Sequence, residues 1–288
     1  MEHAVQIENL RKEFKGFTLK DVSFNIPKGY VMGLIGPNGA GKTTLIKLIM
    51  NLIRKISGQI RVFGKDHIQH ESEIKSRIGF VYDIPHFYED IKLKSTASAI
   101  APFYPKWDQD LFLKLMNEFS LPLDKKFKKL SHGMKMKFSL CLALSHDADL
   151  ILMDEPTSGL DPVFRQELLE KMSQIMLNEE KTMLFSTHIT SDLERIADYI
   201  TLIHNGEIIF SSPLDNILQN WGIVKSEKDL LDKTEIPGLV GYEKTNYGIE
   251  ILTSDIKTAQ TLISSDSISE KATLEDIMYF IKKGETHA

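Results

Sequence analysis

A single cysteine, Cys141, is all the thiol chemistry in 288 residues. That excludes an intramolecular disulfide and fits a reducing compartment. Cys141 lies in the apolar run Phe138-Ser139-Leu140-Cys141-Leu142-Ala143-Leu144, where a thiol serves as a small buried hydrophobe. Long hydrophobic runs are also missing. The nearest, Leu45 to Ile53, is broken by Lys47 and Asn51 and falls short of the ~20 apolar residues that span a bilayer. Residues Met1 to Gln6 have neither the basic nor the apolar region of a secretory signal. If the protein works at a membrane, another chain must do the spanning. A basic excess is lacking too: 35 Lys and Arg against 40 Asp and Glu give a net charge of -5, which argues against a nucleic-acid partner. There are no repeats, low-complexity runs or long linkers. What remains is ordinary for a globular chain, with 42% hydrophobic and 26% charged residues, and long enough to bury a large core plus a smaller appendix.

The apolar pattern alternates between strand and helix. Residues 4 to 35 are strand-rich, and Tyr30 to Ile35 is almost continuously apolar, as a buried central strand requires. A glycine-rich loop follows, then a helix over Thr43 to Ile53. Gln59 to Gly64 and Ile78 to Tyr82 read as strands. From about 84 to 146 strand patterning disappears and helical spacing takes over, with Leu111, Leu115, Met116 and Phe119 on one face. Leu150 to Met153 and Thr182 to Phe185 are strands again, separated by an amphipathic helix over Phe164 to Leu177. Ser191-Asp192-Leu193-Glu194 has the spacing of a capping box. Strands at Tyr199 to Ile203 and Glu207 to Phe210 flank a turn at Asn205-Gly206. Beyond about 213 apolar density falls, and Thr273 to Lys283 reads as a helix.

Gly36-Pro37-Asn38-Gly39-Ala40-Gly41-Lys42-Thr43 matches the phosphate-loop pattern G-x-x-x-x-G-K-[ST]. Glycines let the loop wrap so that backbone N–H groups face phosphate oxygens. The following helix, entered through Lys42, Thr43 and Thr44, presents its positive N-terminus to the same anion. Lys42 reaches toward β- and γ-phosphates, and the Thr43 hydroxyl suits Mg²⁺, a hard cation that takes oxygen ligands. A buried strand before the loop and a helix after it supply the required context. The strand Leu150 to Met153 ends in Asp154-Glu155. Asp154 is placed to hold Mg²⁺ and Glu155 to polarise an attacking water. Solvated acids after strands are common, so this pair gains its meaning from the phosphate loop. Ser186-Thr187-His188 ends the next strand in the same way. His188 is either structural or in contact with a γ-phosphate or with Glu155.

Leu130-Ser131-His132-Gly133-Met134 opens an apolar helix between the phosphate loop and the acid pair. This arrangement resembles the ABC ATPase family, whose Leu-Ser-Gly-Gly-Gln segment binds the γ-phosphate of ATP held by the opposite subunit. The resemblance covers about residues 4 to 217. It implies an α/β fold of P-loop NTPase type: a mixed sheet core, an inserted α-helical subdomain at about 84–146, and a small α+β accessory region at 218–288. It implies ATP and Mg²⁺ as cofactors. Ser131 and Gly133 would contact the γ-phosphate, Ser158-Gly159-Leu160-Asp161 would meet the partner subunit, and His188 would be the switch histidine. Phe14 would stack on adenine, although an isolated Phe there fits the core equally well. The departures are His132 for glycine, Met134 for glutamine, and Asp83 at the place of the family's Mg²⁺-binding glutamine. A carboxylate at 83 still suits the metal but is shorter and charged.

Phe103-Tyr104-Pro105-Lys106-Trp107-Asp108, with Leu-Ser-x-Gly-Met, is similar to ABC-2 type exporters of bacteriocins, lantibiotics and other peptides; those exporting phenol-soluble modulins look close. The expectation is the ATP-hydrolysing motor of an exporter of peptides or antimicrobial compounds. It would be cytoplasmic and peripheral on the inner face of the membrane, and work as a head-to-tail homodimer or heterodimer with an ABC-2 type transmembrane permease. Phe87, Tyr88, Phe103 and Trp107 either line the docking groove or fill the helical core. Competing readings are a soluble ABC ATPase not tied to transport, a catalytically weak half of a heterodimer, and an importer motor.

Overall fold

The computed structural model describes residues 2–227, 236–262 and 267–283. Its centre is a six-stranded sheet in the order β10-β9-β3-β8-β7-β6. The strands are β3 (Val31–Ile35), β6 (Ile78–Val81), β7 (Leu150–Asp154), β8 (Thr182–Thr187), β9 (Tyr199–His204) and β10 (Glu207–Pro213). All pair in parallel except the β9–β10 hairpin at one edge. β3, β7 and β8 are buried at every position. Their apolar runs are continuous because both faces are covered. Successive β7 side chains divide between two cores. Leu150 and Leu152 join one with β3's Leu34, and Ile151 and Met153 the other with Phe164 and Leu168.

The first core is closed by α1 (Lys42–Ile49) and by an antiparallel sheet, β2-β1-β4-β5. That sheet comprises β1 (His3–Phe14), β2 (Phe17–Pro27), β4 (Ser57–Val62) and β5 (Lys65–Asp66), and a short helix α2 (Glu71–Lys75) leads on to β6. The second core is closed by α6 (Pro162–Met176) and α7 (Thr190–Ile196). α7 starts one residue before the predicted capping box and has no side-chain cap. The Ser191 hydroxyl instead accepts from Arg165, so a tertiary partner has taken the group that the local pattern assigned to the helix.

The helical insertion holds α3 (Leu93–Ile100), α4 (Gln109–Glu118) and α5 (His132–Leu144). Leu93, Phe112, Leu115, Phe127, Phe138 and Cys141 form its core. Phe87 and Trp107 pack against that core, while Tyr88 and Phe103 are 81% and 77% exposed. Phe112, fully buried, is the anchor that the apolar face of α4 left unnamed. α5 is buried along most of its length because Met136 and Leu140 face the central core while Phe138 and Cys141 face the insertion.

After β10, α8 (Leu214–Asn220) spans the expected boundary at 217. Four antiparallel strands follow in the order β12-β13-β11-β14, with β11 (Gly222–Ser226), β12 (Leu239–Thr245), β13 (Gly248–Thr253) and β14 (Ile268–Lys271). They carry α9 (Ile256–Leu262) and α10 (Leu274–Lys283). Leu274, Ile277 and Phe280 of α10 enter the central core beside Leu193 of α7, and the Leu274 N–H donates to Glu194 at 3.0 Å. Among the described residues no helix is long and apolar enough to cross a membrane.

The β9–β10 turn is the expected Asn-Gly type, with φ of 46° at Asn205 and 77° at Gly206. A Cβ at Gly206 would stand 1.9 Å from the Thr18 carbonyl. The Gly206 carbonyl accepts from Lys20 N at 2.8 Å, and its N–H donates to the Ala40 carbonyl at 3.2 Å.

Candidate active site at the carboxyl ends of the parallel strands

Because β3, β6, β7 and β8 run parallel, the chain leaves all four at one edge of the sheet. That edge is where open α/β sheets gather ligands. β3 delivers Gly36 to Thr43, β6 delivers Asp83, β7 delivers Asp154 and Glu155, and β8 delivers His188.

The 36–43 loop is built for close approach. A Cβ at Gly36 would lie 2.2 Å from the Ile203 carbonyl, and one at Gly41 2.8 Å from Leu19 Cδ2. Gly39, at φ 84°, faces open space. Asn38, Gly39 and Thr43 are exposed, Thr44 is half-buried, and Ala40 is buried beneath the loop. α1 has no side-chain cap, so its first-turn N–H groups are open to a ligand anion. The Lys42 ammonium folds inward, donating to the Gly36 carbonyl at 2.8 Å, and meets Glu155 Oε1 at 3.1 Å.

Glu155 is the most constrained acid of the group. It is 9% exposed and has φ 49°, a left-handed backbone that costs a non-glycine residue about 1 kcal/mol or more. Its N–H donates to the Ser186 carbonyl at 3.0 Å, which holds the turn. Its second oxygen, Oε2, accepts from His188 N at 3.3 Å and lies 2.7 Å from His188 Nδ1. Asp154, almost fully buried, accepts from the Ser186 hydroxyl at 2.7 Å. Ser186 thus orients both acids; strand pattern alone had singled out only its neighbour His188. Thr157 Oγ1, buried without a hydrogen-bond partner, is another polar group that no motif flagged.

Asp83 faces this cluster. Burial first, then the charges of Asp154 and Glu155, push its carboxyl above the usual range, while His132 and His188 pull the other way. Asp83, Asp154 and Glu155 thus gather at one sheet edge, and Thr43 is exposed at the start of α1; their oxygens are of the hard type that a divalent cation takes. No cluster of three or more His, Cys, Asp or Glu among the described residues forms a cage for a metal on its own.

Other expected residues stand apart from the Lys42–Glu155–His188 chain. Ser131 is exposed and caps α5, its hydroxyl accepting from Met134 N at 3.3 Å. His132 Nε2 lies 3.2 Å from the Ser158 carbonyl, which joins the start of α5 to the loop after Glu155. Gly133 is half-buried next to Phe164 and Leu160. Asp161 caps α6, accepting from Phe164 N at 3.0 Å. Phe14 is 45% exposed at the end of β1, with the Lys12 ammonium 5.0 Å from its ring centre. It is therefore a surface ring and not a core residue.

A family profile for ABC transporters matches residues 19–158. The lantibiotic transport ATP-binding protein SrtF of Streptococcus pyogenes is 35% identical over 73% of this chain and 91% of its own length. The bacitracin transport ATP-binding protein BcrA of Bacillus licheniformis is 32% identical over 68% of this chain and 65% of its own length. A solved ATP-binding subunit of an ABC transporter superposes with a TM-score of 0.67 at 28% identity, covering 75% of this chain and 92% of that one.

Proposed function

Because the chain belongs to the ABC transporter ATP-binding family, an ATPase family, we propose that it is the ATP-hydrolysing motor of a peptide exporter, acting as a dimer on an ABC-2 type permease. The single observation that carries the catalytic part is the chain of contacts Lys42–Glu155–His188 at the carboxyl ends of β3, β7 and β8.

In this reading Lys42, the open N–H groups of α1 and the loop from Gly36 to Gly41 hold the triphosphate. Thr43, Asp154 and Asp83 would hold Mg²⁺, which would supply neutralisation of phosphate charge. Glu155 orients the attacking water, and His188 fixes the Glu155 carboxylate through Nδ1. Phe14, exposed and flat, stacks on adenine. Ser131 and Gly133, exposed or half-buried at the open start of α5, serve the nucleotide of a second ATPase chain, the same or a homologous one. The loop from Ser158 to Asp161 lies against that chain.

Export of a peptide or antimicrobial compound is supported by the named roles of SrtF and BcrA. The permease contact is supported by a groove of about 770 Å³ beside the Asp83 loop, lined by Pro85, Phe87, Ile91, Ile100 and Phe127. An apolar groove reached directly from a Mg²⁺-binding loop links nucleotide state to whatever docks there. Residues 218–288 serve as an accessory region, a reading supported by α10, whose Leu274, Ile277 and Phe280 share a core with Leu193 of α7.

The test is affinity capture from detergent-solubilised membranes, with and without Mg-ATP. Recovery of a polytopic membrane chain supports the motor reading. Recovery of soluble chains alone removes it, whatever the ATPase rate.

A further inference from the structure

Where the segment resembled by Leu130 to Met134 has glycine, this chain has His132, and its ring makes a contact that glycine has no atoms to make. His132 is the first residue of α5, and its Nε2 lies 3.2 Å from the Ser158 carbonyl. A carbonyl only accepts, so Nε2 carries the proton and donates. The ring also lies along the next residue: a Cβ at Gly159 would stand 3.7 Å from His132 Nε2 and Cδ2. The residue that would close a helical turn onto the Ser158 carbonyl, four positions on, is Pro162 and has no N–H. A side chain therefore takes the place of the backbone donor.

Ser158 is bonded on its other side to Glu155. Its N–H donates to the Glu155 carbonyl at 3.1 Å and closes the turn Glu155-Pro156-Thr157-Ser158. Two hydrogen bonds through one residue thus connect the His132 ring to Glu155. Glu155 has φ 49°, a left-handed backbone that a non-glycine residue keeps only where its surroundings impose it. From that backbone its carboxylate reaches Lys42 and His188. Packing does not account for the His132 contact. Gly133 already lies next to Phe164 and Leu160, and Lys137 joins α5 to α6, 4.3 Å from the Phe164 ring centre and 3.8 Å from Glu167. Ser131 caps α5 and Asp161 caps α6 without it. His132 itself is exposed.

We propose that His132 is a positioning residue for Glu155: by donating to the Ser158 carbonyl it locks the turn that aims the Glu155 carboxylate. The proposal rests on the reading of Glu155 as the residue that orients water. Ser131 and Gly133, on either side, are assigned to the nucleotide of a second chain, whereas the His132 bond is made within its own chain. The role demands a donor at the right reach and not a charge. Glutamine carries an N–H at about the same reach as Nε2 and is neutral. It therefore separates the hydrogen bond from the pull of the ring on Asp83. Leucine keeps the bulk and has no donor.

ATP hydrolysis by the purified full chain, with the melting midpoint measured beside it, tests this. His132→Ala and His132→Leu are expected to lower kcat by roughly two- to tenfold, the worth of one hydrogen bond, with KM and midpoint little changed. His132→Gln is expected to restore most of the rate. In single-turnover assays on a Glu155→Gln background, His132→Ala should cost nothing more, because no carboxylate is left to aim. An unchanged kcat in the alanine and leucine variants, a glutamine variant as slow as the leucine one, or a full further loss on the Glu155→Gln background overturns the proposal. Glu155→Gln turning over at the parent rate is a different failure, since it removes the reading of Glu155 and the proposal with it. A slow Glu155→Gln beside a normal His132→Ala removes the role of His132 alone.

Discussion

The Lys42 ammonium stands 3.1 Å from Glu155 Oε1, with both side chains nearly buried. In the proposed function Lys42 takes phosphate and Glu155 orients water, so phosphates arriving at Lys42 would compete for this contact. Glu155 keeps its place without Lys42, because Oε2 is tied to His188 and the backbone to Ser186. Binding and hydrolysis are thus separable by substitution.

Glu155→Gln preserves shape and removes the charge. Turnover is expected to fall by about 10²–10⁴-fold, the usual worth of a general base, with nucleotide affinity retained. Lys42→Ala is expected to lose affinity for ATP. Fluorescent-nucleotide titration beside phosphate release checks both. Equal loss of affinity in the two variants would refute the division of labour.

Asp83 sits against Asp154 and Glu155, and burial with their charge already pushes its carboxyl upward. In chelator, Asp83→Asn is expected to raise the melting midpoint, because one of three mutually repelling acids is gone. The same change should weaken the Mg²⁺ dependence of ATP hydrolysis. A lower midpoint in chelator would mean that Asp83 is held by attraction and not by the surrounding structure.

Two buried imidazoles predict acid sensitivity. His146 lies between the Leu142 and Ile78 carbonyls at 3.1 Å each and stacks on Tyr104, and His67 contacts the Ile60 carbonyl at 3.1 Å. Burial lowers both, with the carbonyl contacts opposing. The unfolded chain then binds the extra protons, so the stabilisation is complete above the unfolded value near 6.5 and is lost as pH falls toward the depressed folded values. The melting midpoint should drop between about pH 7 and pH 5, and His146→Gln, though less stable overall, should show a shallower slope. An unchanged slope would exclude His146 as a source.

Truncation after Ile217 removes Leu274, Ile277 and Phe280 from the central core and uncovers Leu193. Burial of side chains this size is worth roughly 1.5–3 kcal/mol each, so the shortened chain should melt well below the parent or aggregate. Differential scanning fluorimetry decides. An unshifted midpoint would show that the two parts fold independently.

What was legible in the sequence was whatever local spacing encodes. The phosphate loop, the Asp154-Glu155 strand end, His188 and the Asn205-Gly206 turn each lie within a few residues of their own defining pattern. What escaped depends on partners far along the chain. Ser191 was read as a cap and serves Arg165 instead. Segments 89–94 and 123–128 pair across the insertion, in a region where no strand pattern was visible. Phe87 and Trp107 went inward while Tyr88 and Phe103 stayed out, a choice made by Phe127, Phe138 and Phe112 and not by the aromatic residues' own neighbours in sequence. Ser186 carried no signal beyond strand propensity, because its value comes from two acids on the adjacent strand.

The hairpin turn at Gly206 has a reach beyond its own strands. One residue there, Gly206, bonds through its N–H to Ala40 of the phosphate loop and through its carbonyl to Lys20 of β2. A side chain at 206 has no room, since Thr18's carbonyl occupies the space. A lesion in this hairpin would therefore phenocopy a lesion in the phosphate loop, with weak nucleotide binding and every recognisable motif intact. Any search for loss-of-function changes confined to the nucleotide motifs would pass over it.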